Sequence, residues 1–178
     1  KYWNKNRQKA YKGSLRHFLH TLASRYELRF EIINGIVQQK SNWISMSGRR
    51  WDPLVKEGFS LLINKKDFFG TSIIIPDQYK SLKNDTLVFA GRPNEPLLSF
   101  EGRMMVTYVK ESPEFTYLLE YDSPSSNQQT SYLSLRADSV YFDSYGRYSE
   151  PYMIERQGYL SWEGVGDQLP FDYDFEKK

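Results

Sequence analysis

Cysteine is absent from this chain of 178 residues. That one absence excludes disulfides, thiol nucleophiles, cysteine-ligated zinc and iron–sulfur clusters. Histidine is scarce: the chain has 2, His17 and His20, on one short segment. A Ser-His-Asp arrangement therefore has few ways to form. The sequence has no G-x-S-x-G elbow, HExxH pair, phosphate loop or G-x-G-x-x-G turn, so hydrolase, zinc-protease and nucleotide readings lack their core residues. No apolar run reaches the roughly 18 residues of a membrane-spanning helix. No self-similarity recurs at a solenoid or propeller period.

Aromatic side chains are abundant, with 14 Tyr, 11 Phe and 4 Trp making up 16% of the chain. Such a composition argues for a packed core rather than disorder, and the length suits one ordinary domain. The net charge of +2 conceals a gradient. Lys1, Lys5, Arg7, Lys9, Lys12, Arg16 and Arg25 all precede the first acid, Glu27, so the opening 26 residues carry +7. Residues 101–178 hold seven basic and fourteen acidic residues, net −7. This asymmetry fits a basic arm for anionic lipid or nucleic acid, a head and tail that pair, or an ordinary solvated surface.

The first residue is Lys, and Tyr2 and Trp3 beside several cations have the composition of a boundary following a membrane-spanning helix. The chain is therefore expected to be a processed or truncated product, with residues 1–13 a basic, membrane-proximal arm and residues 14–178 a single β-rich domain with an acidic tail. Lys1, Trp3, Lys5, Arg7, Lys9 and Lys12 are the candidate membrane or anion contacts. Two cues oppose each other on location. The positive-inside tendency favours a cytoplasmic arm. An aromatic-rich, cysteine-free, β-rich chain suits an exported domain, and the expected location is extracytoplasmic and membrane-associated.

The segment 14–26 reads as an amphipathic helix. Ser14 is a suitable N-cap. Leu15, Phe18, Leu19, Leu22, Ala23 and Tyr26 recur with helical spacing on one face, and Arg16, His17, His20, Thr21 and Ser24 occupy the other. The period then changes to two: Leu28, Phe30 and Ile32 alternate with Arg29 and Glu31, as in a half-buried strand. Asn34-Gly35 marks a hairpin, because a type I′ turn needs two residues that tolerate positive φ. Further strands are expected near 42–46, 58–64, 71–75, 85–90, 97–100, 104–110, 115–121, 131–136, 139–143 and 152–155. Glu101–Arg103 reads as a hairpin loop, Asp143–Gly146 as a turn and Asp122–Thr130 as a polar loop. The end of the chain reads as a final strand or short helical turn with an acidic tail. The expected class is α+β, mostly β: an N-terminal amphipathic helix followed by an antiparallel sheet or sandwich of about 8–11 strands.

Three constellations bear on function. His17 and His20, at i and i+3, have a spacing that can share a metal, but no third ligand stands nearby and neither lies on the apolar stripe. Both are read as solvent-facing, and no metal or cofactor is expected. The carboxylate pairs Glu120/Asp122 and Asp172/Asp174 have the residue types of a glycosidase. Glu120 and Asp122 would share one face of a strand. Arg49, Arg50 and Trp51 form a loop able to clamp an anion or stack on a sugar. Tyr159 and Trp162, placed near Tyr145 and Tyr148 if the last strands pair, form an aromatic platform for a protein or carbohydrate partner. No catalytic residue is assigned. The expected function is a non-catalytic interaction or assembly domain of an exported or membrane-tethered protein, binding a protein partner or itself. A carbohydrate-binding module, with weak carboxylate-dependent hydrolysis, is the alternative. Nucleic-acid binding through the basic arm follows.

Overall fold

The structure is a computed structural model that describes residues 2–34, 36–40, 52–64, 80–81, 87–92, 95–121, 127–148 and 150–162. The fold is α+β, with a helical N-terminus leading into antiparallel sheets. The basic arm forms a helix, α1 (Tyr2–Tyr11), and a second helix, α2 (Leu15–Arg29), follows at once. Gly13, at φ +76°, separates them. That left-handed conformation suits glycine because it carries no Cβ. Ser14 caps α2, its side chain accepting the His17 N–H at 3.2 Å.

The strand expected from Leu28 starts two residues later, because α2 runs through Arg29. β1 (Phe30–Ile33) and β2 (Ile36–Gln39) then form the hairpin, with Ile33 opposite Ile36 and Asn34 at φ +53°. A short helix, α3 (Pro53–Glu57), is capped by Asp52 and ended by Gly58 in the left-handed region. Strands β3 (Phe59–Asn64), β4 (Lys80–Ser81), β5 (Val88–Arg92), β6 (Glu95–Leu98) and β7 (Arg103–Tyr108) follow. Helix α4 (Phe115–Glu120) precedes β8 (Gln129–Leu135) and β9 (Val140–Tyr141). A 3-10 turn, Pro151–Met153, then leads into β10 (Ile154–Gly158) and a helical turn, α5 (Tyr159–Trp162).

Among the described residues two further sheets are antiparallel, one in the order β10-β8-β7-β3-β4 and one in the order β5-β6-β9. Glu101–Arg103 is not a hairpin loop, since β6 and β7 lie in different sheets; the segment is a crossover between them. The expected strand over 115–121 is helix α4. Asp122–Thr130 is shorter as a connection than its polarity suggests, because β8 already begins at Gln129. The expected strands at 42–46 and 71–75 lie outside the described residues.

The larger sheet packs one face on α2. Phe59, Tyr108 and Gln129 are neighbours across β3, β7 and β8, as are Leu61, Val106 and Ser131, and then Ile63, Met104 and Leu133. The α2 side chains Leu15, Phe18, Leu19, Leu22, Ala23 and Tyr26 join this face in one core. Phe18 meets Phe59 edge-on, with ring centroids 5.5 Å apart. The polar side of α2 is not all solvent-facing: His17, Thr21 and Arg25 are buried. Arg25 Nε faces Asp52 Oδ2 at 3.3 Å, which ties α2 to the cap of α3. The turn at Asp143–Gly146 docks on the same helix, with His20 Nδ1 2.6 Å from the Ser144 carbonyl oxygen. A Cβ at Gly146 would lie 2.2 Å from the Arg16 carbonyl oxygen, so only glycine permits that approach.

Candidate functional site

Two clefts flank the junction of α1 and α2. The wider, about 1220 Å³, lies between that junction, α3 and the end of β7. His17 and Tyr108 form part of its wall, while Lys12, Lys56, Lys110 and Glu57 also line it. His17 is held among aromatic rings, with centroids 4.8 Å from Tyr11 and 4.9 Å from Phe59. Its Nδ1 accepts the Gly13 N–H at 3.1 Å, which assigns the proton to Nε2, facing Glu57 Oε2 at 3.7 Å. Burial pulls the imidazole down from 6.5 to about 4, against the upward pull of the Glu57 carboxylate. His17 is therefore neutral near pH 7 and serves the helix junction. His20 turns toward Ser144 instead, so the two rings engage different partners. Among the described residues no group of three or more metal-ligating side chains gathers.

The narrower cleft, about 510 Å³, opens on the other side of α1. Tyr159 and Trp162 line it, carried there by α5, which begins where β10 ends. The Leu160 N–H donates to Ser131 Oγ at 3.0 Å, fixing the start of α5 to β8. The sequence places these aromatics beside Tyr145 and Tyr148. The structure brings Tyr117, on helix α4, against both of them. The Tyr117 ring centroid is 5.1 Å from Tyr159, 5.6 Å from Trp162 and 4.7 Å from Tyr121. Burial, reinforced by neighbouring Tyr121 and Tyr132, raises the Tyr117 phenol above its ordinary value. The Trp162 indole Nε1 donates to Glu120 Oε2 at 3.0 Å, which fixes the ring orientation.

Lys9, Lys12, Glu111, Glu114 and Gln129 add polar groups to this cleft. Lys9 Nζ pairs with Glu114 Oε1 at 3.1 Å, so part of the basic arm is engaged by its own domain. Lys5 and Arg7 remain exposed on α1, and Trp3 lies near the start of that helix. Lys1, Arg49, Arg50 and Trp51 lie outside the described residues, as do Asp122, Asp172 and Asp174. Glu120 ends a helix rather than a strand, so the face-sharing argument for a Glu120/Asp122 pair fails, and its carboxylate is engaged by Trp162.

Sequence reasoning found Tyr159 and Trp162 but missed Tyr117, Glu111, Glu114 and Gln129. For Gln129 the available signal was parity. It shares the alternation of Ser131 and Leu133, whose face is core, yet its polar neighbours read as loop.

No helix among the described residues is long and apolar enough to cross a membrane. No family model matches the chain, and no curated protein or solved structure matches it.

Proposed function

We propose that this chain is a non-catalytic interaction domain that assembles with a protein partner, in the first instance another copy of itself. The observation that carries the reading is the outer side of α4. Phe115 is 73% exposed, Leu119 66%, and no residue of α4 is fully buried. Phe115 and Leu119, at i and i+4, lie on one side of the helix, while Tyr117 packs against Trp162. Paired exposed apolar side chains on a rigid element are a common feature of contact surfaces. The charge gradient supports a second copy as the partner: an opening segment of +7 and a closing segment of −7 favour head-to-tail encounter. The location that accompanies this reading is extracytoplasmic and membrane-associated.

Sedimentation across a concentration series tests it. The expected result is a mass that rises with concentration, less steeply at high salt. The double variant Phe115→Ser/Leu119→Ser should stay monomeric while keeping the native thermal midpoint. A native chain that remains monomeric throughout at low salt sinks the self-assembly reading, as does a double variant that associates equally well.

A further inference from the structure

Helix α1 forms a wall of both clefts. Gln8 and Tyr11 line the wider, and Asn6, Lys9 and Ala10 line the narrower. The described side chains of α1 are shallowly set: residues 5–9 are exposed, Ala10 is half-buried and Tyr11 is buried. Tyr11 therefore anchors the C-terminal end of the helix, and its ring lies on the His17 imidazole. His17 also holds the chain between the two helices. Gly13 bends it there in the left-handed region, and the Gly13 N–H donates to His17 Nδ1 at 3.1 Å. Ser14 completes the joint. Its hydroxyl donates to the Tyr11 carbonyl oxygen at 2.7 Å and accepts the His17 N–H at 3.2 Å.

A neutral imidazole with its proton on Nε2 suits this place, and an imidazolium does not. The second proton has only Nδ1 to occupy. There it meets the Gly13 N–H, so two donors face each other with no acceptor between them. The added charge would also stand in the first turn of α2, where the helix dipole disfavours a cation. Tyr11 from α1, Phe59 from β3 and Tyr108 from β7 pack against the ring. Glu57 from α3 faces Nε2 at 3.7 Å, while His20 and Lys110 repel added positive charge. Lys12, Lys56 and Glu111 line the same cleft. Glu57 favours the charged ring, but it acts at the nitrogen that is already protonated and relieves none of the conflict at Nδ1. Burial outweighs it, so the docked ring titrates at about 4. The Lys9–Glu114 pair also ties α1 down, but both side chains are well exposed, so it opposes movement weakly.

We infer that protonation of His17 releases α1: the Gly13 bond breaks, Tyr11 leaves the ring, and the helix swings about Gly13 while α2 and the sheets stay packed. Release returns the imidazolium to water, opens both clefts on the side that α1 closes, and carries the exposed cations Lys5 and Arg7 away from the domain. It goes beyond assembly through α4, because neither Gly13 nor His17 belongs to that helix. The proton linkage has a definite sign. A released His17 titrates at its ordinary value, about 6.5. Acid therefore favours the released form, by about 100-fold between about pH 7 and about pH 4.

The chain has no cysteine, so spin labels can be placed singly on introduced ones. Double electron–electron resonance on the whole chain tests the inference with two label pairs. Arg7→Cys/Gln157→Cys spans α1 and β10, and Glu27→Cys/Gln157→Cys spans α2 and β10. Both distance distributions should be narrow at about pH 7. As pH falls to about 4, the first should broaden and lengthen while the second holds. His17→Gln can still accept the Gly13 N–H but cannot titrate, and in that background the first distance should stay narrow in acid. Imidazole nitrogen NMR of the native chain covers the case in which that variant folds poorly. His17 Nδ1 should gain its proton over the same pH interval in which α1 moves. An α1 distance that stays narrow at about pH 4 overturns the inference. So does broadening of both pairs together, which is unfolding of the whole chain. Broadening that persists in His17→Gln, or an Nδ1 proton gained with α1 still docked, overturns it equally.

Discussion

Helices α2 and α4 treat their apolar residues in opposite ways. Leu15, Phe18, Leu19, Leu22, Ala23 and Tyr26 of α2 are all buried. None of α4 is. The difference begins in spacing. The α2 residues recur with a period near 3.6, so a helical backbone gathers them on one stripe. In α4 and its C-cap, Phe115, Tyr117, Leu119 and Tyr121 recur with a period of two. A helical backbone turns roughly 200° over two residues, so that pattern splits between opposite sides. Tyr117, on one side, packs against Tyr159 and Trp162; Phe115 and Leu119, on the other, remain outside. A strand pattern on a helix yields two apolar faces where the core has use for one. The second face is available for contact.

The largest effect that would sharpen the contrast is a pair of truncations. Phe18→Ala or Leu19→Ala removes a fully buried side chain and should cost about 3–5 kcal/mol by chemical denaturation. Leu119→Ala should lie within about 0.5 kcal/mol of the native chain. Equal costs would break the comparison.

Nearly as large is the effect expected of Asp52→Ala. It leaves Arg25 buried without its carboxylate, both side chains being 6% exposed, and removes the cap that accepts the Leu54 N–H. A loss of about 3 kcal/mol or more is expected, since stranding one member of a buried pair is strongly destabilising. Urea midpoints of native and variant chains give the value.

The third effect is on pH dependence. His17 titrates at about 4 when folded, against about 6.5 unfolded. Between those values the unfolded chain binds the extra proton, so stability rises with pH. The contribution is complete above about pH 6.5 and is lost as pH falls toward 4, by up to about 3 kcal/mol. His17→Gln, which cannot titrate, should lower stability at neutral pH and flatten the dependence in that window. An unchanged slope would remove His17 as its source.

The smallest of the four concerns the turn docked on α2. Gly146 has φ +72° and lies against the Arg16 carbonyl oxygen and the His20 N–H. Gly146→Ala should cost about 1–3 kcal/mol, because both the conformation and the close approach exclude a Cβ. Thermal unfolding of the variant reports it. Gly102→Ala, also at positive φ, serves as the comparison for conformational strain.

Some elements were legible because their signals are local. Ser14 followed by the 3.6-residue stripe placed α2 to within a few residues at its end. Asn34-Gly35 set the β1–β2 register by turn geometry. Asp143 shows the same locality: its carboxylate accepts the Tyr145 and Arg147 N–H groups, making the turn from its own neighbourhood. The candidate site was legible only in part. Tyr159 and Trp162 stood out by residue type, but their partners come from a segment whose alternation reads as strand. Nothing in the six residues of α4 discloses that helix packing against α5 outweighs that pattern.

The sequence by itself determined the α+β class, the main helix, the hairpin and several strands, because capping, turn chemistry and hydrophobic period act over a few residues. The tertiary structure alone decided that His17, Thr21 and Arg25 are buried, that β6 and β7 belong to different sheets, and that the Gln129 amide oxygen is enclosed against Gly13. Those outcomes depend on groups far apart in the chain: Arg25 with Asp52, Gly13 with Gln129, Arg16 with Gly146. Burial, desolvation and hydrogen-bond satisfaction depend on which surfaces meet, and that is settled only when the sheets and helices have packed.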